Sequence, residues 1–528
     1  MLTADQIDVL GEKARQLISP VTEFLIEDIA KRIAQAGQLT GTAAYQAWRL
    51  QQLGVSQRQL KKELRKRLKV SHRELRKLMN QAGEAGYDYD IRKHPYVQAV
   101  LFRENQALQQ IVSAAVQLAD ENLSNITKTL GFVGPDGKSR ELTKAYQDAC
   151  DFAFQKVATG AQDYASAIRE ATRNLADRGI VSIDYESGVS TSLEAAVRRN
   201  VMGGLGLMQE KISQQNHDDF GCDGWEISAH AASAPDHEPI QGRQYSDEAY
   251  EKLNNSLVRR IGTLNCGHAA FPIVLGVDTP QYTPEELAKL RQDNENGIDY
   301  NGKHYTMYEA TQHQRRLEAS IRKQKRRILV SEATGDKESL QQNQIKYQVL
   351  NQEYKRFSKA AGLRLQRERM EMPGFGSKQA IQVSAEYKRV ANAANAMYNT
   401  GSEEENVRAY MKDLPIRKEI RSDPARLVIN QEKQSRHIKG SDGYITGRSY
   451  VTVSNDELQD IVEKYAGTGE IQRSARGVFM WKEIVTLDHQ IGVSIDPETL
   501  EEMPTDRAYV HYSKTGSHVV PTARGMKE

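Results

Sequence analysis

The sequence predicts a multidomain, mainly α-helical protein with a small mixed α/β central domain, a helical hairpin and a C-terminal α+β domain, in which a helix is followed by an antiparallel sheet. Three observations predict this class. A chain of 528 residues is too long for one ordinary hydrophobic core. Long stretches repeat apolar residues at steps of three and four, as amphipathic helices do. Residues 426–528 instead contain several short β-like runs separated by turns.

The composition restricts the partners of this protein. The net charge is +2, so any attraction to nucleic acid or membranes has to be local. The three cysteines, Cys150, Cys222 and Cys266, are scattered, which suits a reducing compartment better than a disulfide framework. No apolar run reaches the roughly 18 residues of a membrane span, and the N-terminus has no signal-peptide pattern. We therefore expect no membrane span and assembly in a cytoplasm.

The N-terminal region, residues 1–195, is predicted to be helical. Apolar residues from 7 to 33 fall on one helical face, with Pro20 as a boundary or kink. Ser71-His-Arg-Glu74 has the spacing of a capping box and predicts a helix start. In the segment 58–77, leucines occupy one predicted helix face, and lysines and arginines occupy most of the other positions. That basic surface is either a solvated helix face or a contact for phosphates.

The central region, residues 196–282, is predicted to be a mixed α/β domain that concentrates Trp, Cys and His. His230, His237, Cys266 and His268 are side chains of the types that bind zinc. Their spacing matches no standard zinc knuckle and favours a structural hydrogen-bonding cluster instead. A thiol protease pair that uses Cys266 would also need an orienting motif, which the sequence lacks.

The order of the central motifs resembles that of the phage minor capsid proteins, in the wider phage Mu F-like minor head family. The shared blocks are Trp225-Glu-Ile-Ser-Ala-His230, His237 with Gln241-Gly242, and Asn265-Cys-Gly-His268 with Pro272. Ala234 departs from the family pattern, which has a basic residue there. The resemblance implies a minor head protein of the virion, assembled in the bacterial cytoplasm. Its expected partners are the portal protein, against which the N-terminal helical half would lie, the major capsid protein, and phage DNA through the basic helix 58–77.

Residues 283–372 are predicted to form a helical hairpin or coiled coil. Thr283-Pro-Glu-Glu286 has the pattern of a helix start, with proline at the first helical position. Gly335-Asp336 separates two helical runs, and the second run carries a three-four-three seam that predicts an antiparallel partner helix. The seam is Tyr347, Leu350, Tyr354 and Phe357. Residues 373–425 are predicted to be a linker region with some helix.

The C-terminal region, residues 426–528, is predicted to start with a helix capped by Ser454 and to continue as a meander of strands. The predicted strands are Glu483–Thr486, Ile491–Ile495, Ala508–Tyr512 and Ser517–Val520. Polar strings around three histidines set this region apart. They are Lys433-Gln-Ser-Arg-His-Ile-Lys-Gly440, Val510-His-Tyr-Ser-Lys514 and Ser517-His-Val-Val-Pro-Thr522.

Together with Trp481-Lys-Glu-Ile484 and Gly492, these strings resemble the bacterial polymorphic toxin type 50 domain. That module is expected to be an RNase of the barnase, EndoU, colicin E5/D and RelE superfamily. The resemblance implies a toxin that acts on RNA in the host cytoplasm without a metal or another cofactor. It also implies a cognate immunity protein in the producing cell.

Cleavage of RNA without a metal requires a base, an acid and a cation that stabilises charge on the phosphorus. Histidine can serve as base or acid near neutral pH. The predicted catalytic residues are His437, Lys482, Glu483, His511, Ser513 and His518, and the predicted substrate-binding residues are Arg436, Tyr512, Lys514 and Thr522. Because strand residues two apart share a face, His511 and Ser513 are predicted to face His518 on the next strand. The alternative is a purely structural head protein with a non-catalytic C-terminal domain.

Overall fold

The computed structural model divides the chain into two compact units, Met1–Val383 and Ser384–Glu528. The predicted multidomain, mainly α-helical fold class is confirmed. Cys150 and Cys266 lie outside the described residues. The structure describes residues 4–37, 42–128, 130–133, 139–141, 151, 166, 169–170, 172–173, 176–177, 179–183, 190–258, 260–262, 267–398 and 401–524.

The first five helices of the first unit share one hydrophobic core, to which Val330 of a later helix also contributes. Ser19 and Pro20 begin the second helix, so the predicted boundary at Pro20 is confirmed. The helix start predicted at Ser71 is wrong, because the third helix runs through this residue. The Ser71 hydroxyl is buried there and donates to the Leu17 carbonyl at 2.6 Å. The helices are α1 (Ala4–Gln16), α2 (Ser19–Gly37), α3 (Thr42–Lys93), α4 (Gln106–Lys128) and α5 (Leu193–Phe220).

The first unit contains an antiparallel sheet of four strands and another of three strands, besides a two-stranded one. The first sheet has the strand order β2-β1-β3-β4, and the central sheet has the order β6-β5-β7. Trp225 of the central sheet is buried and stacks between the rings of His217 and Tyr250, at 5.0 and 5.4 Å. The elements are β1 (Leu130–Val133), β2 (Ser139–Glu141), β3 (Val181–Ile183), β4 (Ser190–Ser192), β5 (Gly224–Ile227), β6 (Gln244–Ser246), α6 (Asp247–Ser256) and β7 (Ala270–Ile273).

The predicted helical hairpin is present. Both parts of the capping box at Thr283 form, and Asp336 caps the second hairpin helix by accepting from the Ser339 amide. Tyr354 and Phe357 of the predicted seam are buried in the core of this segment. The elements are α7 (Pro284–Asn296), β8 (Ile298–Tyr300), β9 (Lys303–Tyr305), α8 (Met307–Thr334) and α9 (Lys337–Ala360).

The segment predicted as a linker, residues 373–425, contains two long helices. The second of them contributes Ile420, which is fully buried, to the core of the second unit. The helices of this part of the chain are α10 (Ser377–Met397), α11 (Glu403–Ser422), α12 (Gln431–Ser435) and α13 (Asn455–Tyr465). Among the described residues, no helix is long and apolar enough to cross a membrane.

The second unit contains a four-stranded antiparallel sheet, β11-β12-β15-β16, and a three-stranded one, β10-β13-β14. One face of the four-stranded sheet packs on α13 and is buried, with Val485, Val510 and Val519 in the core. The opposite face is mostly half-exposed. The strands are β10 (Tyr450–Val451), β11 (Glu470–Arg473), β12 (Phe479–Thr486), β13 (Gly492–Ile495), β14 (Glu502–Thr505), β15 (Arg507–His511) and β16 (His518–Pro521).

Candidate active site

The pairing of three neighbouring strands brings Lys482, His511 and His518 together on the half-exposed face. In the antiparallel register, Lys482 lies opposite His511, and His511 lies opposite His518. Directly opposed residues of such a pair point to the same face. The rings of His511 and His518 stack with their centroids 4.7 Å apart and their planes inclined by 16°.

His437 lies beside His518 because the chain just before it, around Gln434, covers the free edge of β16. The buried Gln434 side chain accepts from the Val519 amide at 2.7 Å and donates to the Val519 carbonyl at 3.0 Å. A side-chain amide thus replaces the backbone of a further strand. The His437 ring stacks on that of His518, with centroids 5.8 Å apart.

The tautomer of His437 is fixed by one hydrogen bond. Its Nδ1 lies 2.8 Å from the carbonyl oxygen of Ser449. A carbonyl oxygen only accepts, so Nδ1 carries the proton. In the neutral ring, Nε2 therefore holds the lone pair, which is the form that a general base needs.

The pKa of each of the three histidines is lowered in the free protein. Burial, followed by the positive charge of Lys482, lowers the pKa of His511 to about 4. Burial and the neighbouring His511 lower the pKa of His518 to about 3. Burial also lowers the pKa of His437, although the hydrogen bond to Ser449 acts in the opposite direction. The three imidazoles are therefore neutral at neutral pH.

Cationic side chains surround this cluster. The Lys433 ammonium donates to the hydroxyls of Ser513 and Thr515, at 2.8 and 3.1 Å, and its charge acts on His518. Arg436 is exposed and donates to Glu432 at 3.4 Å. Lys433 is absent from the residues predicted as functional. Its position four residues before His437, in the same polar string, is the signal that could have indicated it.

A local distortion of β12 precedes Lys482. Trp481 has a φ of 53°, a conformation that costs a non-glycine residue energy. The pairing of β11 with β12 shifts register at this level, between Ile471 and Arg473. Such bulges re-aim neighbouring side chains. The Trp481 ring is packed under the Arg426 guanidinium, 3.8 Å from its centroid.

Glu483 and Tyr512, both predicted as site residues, lie on the buried face and not with the histidines. The Glu483 carboxylate accepts from the amides of Gly467 and Gly469, at 2.5 and 2.8 Å, and from the Tyr512 hydroxyl. Burial raises the pKa of this carboxyl group. These contacts tie the loop after α13 to the sheet.

The remaining predicted residues lie at different distances from the cluster. Ser513 is next to it, in the β15–β16 turn, where its hydroxyl donates to the Gly516 carbonyl at 2.6 Å. Lys514 is exposed in the same turn. Thr522 is at the other end of β16, where its amide donates to the Arg507 carbonyl at 2.9 Å. It follows His518 by four residues, about 13 Å along an extended chain.

The central histidines form a second cluster. The buried His268 lies 3.0 Å through its Nε2 from the Gln241 side-chain oxygen. Its ring lies 4.2 Å from that of His230 and 5.3 Å from that of His237. Among the residues that the structure describes, no three or more His, Cys, Asp or Glu side chains are arranged to hold a metal ion.

The fold and the site define a two-part protein, in which a mainly helical body precedes a small α+β unit with a histidine cluster. Comparison with known families gives each part a counterpart. The family model of phage minor capsid protein 2 matches residues 2–359, more than half of the chain, and the chain belongs to this family. The model of bacterial toxin 50 matches residues 429–521. No curated protein and no solved structure matches the chain.

Proposed function

We propose that the second unit of this phage minor capsid protein is a toxin that cleaves RNA without a metal ion. The stacking of His437, His518 and His511 beside lysine side chains is the observation that supports this proposal. Two imidazoles can act as base and acid, and the ammonium groups can stabilise charge on a phosphate.

His437 is the proposed base. Its Nε2 takes the proton of a ribose 2′-hydroxyl, while Nδ1 stays bonded to the Ser449 carbonyl. The 2′-oxygen then forms a bond to the adjacent phosphorus. In-line displacement needs base and acid on opposite sides of the phosphorus, and His437 and His511 are the outer rings of the stack.

His511 is the proposed acid. As the bond between phosphorus and the 5′-oxygen breaks, protonated His511 gives its proton to that oxygen. The products are a 2′,3′-cyclic phosphate and a 5′-hydroxyl. Burial lowers the pKa of His511 in the free protein. The negative charge of a bound phosphodiester raises this pKa, so substrate binding favours protonation of His511. DNA has no 2′-hydroxyl and is not a substrate of this reaction.

Lys482 and Lys433 are the proposed cations. Lys482 lies opposite His511 in the strand register, and Lys433 is held beside His518 by Ser513 and Thr515. Ser513 thereby acts through Lys433, while Arg436 and Lys514 supply exposed charge for flanking phosphates. Glu483, Tyr512 and Thr522 have structural roles in this scheme.

For the first unit we propose a position in the phage head, against the portal protein and near the major capsid protein. Lys62, Arg65, Lys66 and Lys69 of α3 are exposed, which supports a contact of the basic helix 58–77 with the phosphates of packaged DNA. The toxin unit would be assembled in the bacterial cytoplasm, enter the next host with the particle and act in its cytoplasm. A cognate immunity protein would protect the producing cell.

Expression of residues 384–528 in bacteria tests the toxin proposal. We expect growth arrest and loss of RNA, and we expect neither with His437→Ala or His511→Ala, which remove the proposed base and acid. His489→Ala is the matched control, because His489 is exposed and paired with Asp488 and Glu457. Harmless expression of the folded native unit would instead favour a purely structural head protein.

A further inference from the structure

The half-exposed face of the four-stranded sheet extends beyond the histidines. Residues of β15 two apart share this face, so Tyr509 and Arg507 follow His511 along it. Opposite Tyr509 lie Ile484 of β12, which is buried, and Val520 of β16, which is half-buried. This face combines cations with an aromatic ring, whereas the opposite face is buried and packs on α13.

Tyr509 is the aromatic residue of this face next to the histidines. Its ring is half-exposed and lies 5.8 Å from the ring of His511. The Lys482 ammonium lies 4.7 Å from the ring centroid, and Arg524 donates to the Tyr509 hydroxyl at 3.4 Å. A flat apolar surface is thus placed between two cations.

The proposed reaction makes such a surface useful. The 2′-oxygen, the phosphorus and the 5′-oxygen have to come into line, which the stacked geometry of an RNA helix does not permit. A base beside the cleaved bond therefore has to leave its stack. Proteins commonly receive an unstacked base on an aromatic ring, while lysine and arginine bind the backbone.

We propose that Tyr509 is a stacking platform for the base beside the cleaved phosphate, and that the substrate is single-stranded RNA. Lys482 moves from the ring to the phosphate when RNA binds, which leaves the ring to the base, and Arg524 meets the next phosphate. This inference rests on the proposed ribonuclease function, which supplies the position of the cleaved bond.

Binding to the full-length chain tests the proposal. His511→Ala/His518→Ala prevents cleavage, and a fluorescent single-stranded RNA oligonucleotide reports affinity by anisotropy. In this background, Tyr509→Ser should weaken binding about tenfold, as expected for the loss of one stacked base. Tyr509→Phe keeps the ring and should stay within about twofold of the background. Tyr465→Ser, on the helix that covers the opposite face, is the control for loss of a tyrosine elsewhere.

The outcomes separate the inference from the function on which it rests. The stacking platform would be overturned if Tyr509→Ser bound RNA as tightly as the background protein does. It would also be overturned if Tyr509→Phe lost as much affinity as Tyr509→Ser. Tighter binding of a duplex than of the single strand would overturn the substrate class. In each of these cases the native chain would still cut RNA. If the native chain neither binds nor cuts RNA, the proposed function itself fails. Circular dichroism of each variant verifies that it is folded.

Discussion

The imidazole rings of His511 and His518 stack across two neighbouring strands, 4.7 Å apart. At this distance, the positive charge of one protonated ring disfavours protonation of the other, so the two rings titrate as a coupled pair. Their burial keeps both neutral in the free protein.

The second unit should lose stability as the pH falls. The pKa of His511 is about 4 and that of His518 about 3 in the folded state, below the value of about 6.5 in an unfolded chain. The unfolded state therefore binds more protons at any pH between these values. Stability is retained above about pH 6.5 and decreases below it, by about 1 kcal/mol for each of the two histidines between pH 6.5 and 5.5. Urea unfolding of residues 384–528 measures this, with His518→Leu as a comparison that should flatten the dependence. An equally steep decrease in that variant would contradict the assignment.

An anion should raise the pKa of these histidines. Sulfate bound beside Lys433 and Lys482 would stabilise the protonated imidazoles of His511 and His518, by about one pKa unit. Titration of the histidine resonances by nuclear magnetic resonance, with and without sulfate, measures the shift. Sodium chloride at equal ionic strength is the control. Identical titrations in the two salts would mean that the cluster is not an anion site.

Glu483 should matter for folding and not for chemistry. Its buried carboxylate holds the amides of Gly467 and Gly469, so Glu483→Ala should lower the free energy of unfolding by about 3 kcal/mol. Cleavage by the protein that remains folded at low temperature should change little. Thermal unfolding and the cleavage rate are measured on the same sample. A rate decrease of about a hundredfold with an unchanged melting temperature would instead make Glu483 catalytic.

The second unit should need α11 for its stability. The Arg417 guanidinium donates to the Gly467 carbonyl at 3.0 Å, and Ile420 is fully buried in the core. Residues 384–528 should therefore unfold at a higher temperature than residues 426–528. Ile420→Ala should destabilise the longer fragment by about 2–4 kcal/mol. Equal melting temperatures for both fragments would show that α11 is dispensable.

The fold was predictable wherever short-range signals decide it. The capping box at Thr283 and the turn at Gly335-Asp336 predict the helical hairpin correctly, because a helix end depends on residues within one turn. The capping pattern at Ser71 fails, since tertiary packing gives its hydroxyl a partner at Leu17. The short strands β10, β11 and β14 were not predicted, because β10 has only two residues, and Glu470 of β11 and Glu502 and Pro504 of β14 are of types depleted in strands.

The candidate site was predictable only in part. That His511 lies opposite His518 could be predicted, because side chains alternate between the two faces of a strand and a short turn joins β15 to β16. The same alternation puts Glu483 on the other face from Lys482, so its separation from the cluster could have been predicted. The position of His437 could not, because it depends on Gln434 covering the edge of a strand that is distant in sequence.

The cleavage of single-stranded RNA by purified residues 384–528, in the presence of a chelator of divalent metals, tests the central claim most directly. We expect products that end in a 2′,3′-cyclic phosphate and begin with a 5′-hydroxyl. We expect His437→Ala and His511→Ala, which remove the proposed base and acid, each to slow the reaction at least about a hundredfold, and His489→Ala to retain the native rate. An intact RNA after incubation with the folded native unit, or cleavage that survives both substitutions, would contradict the account.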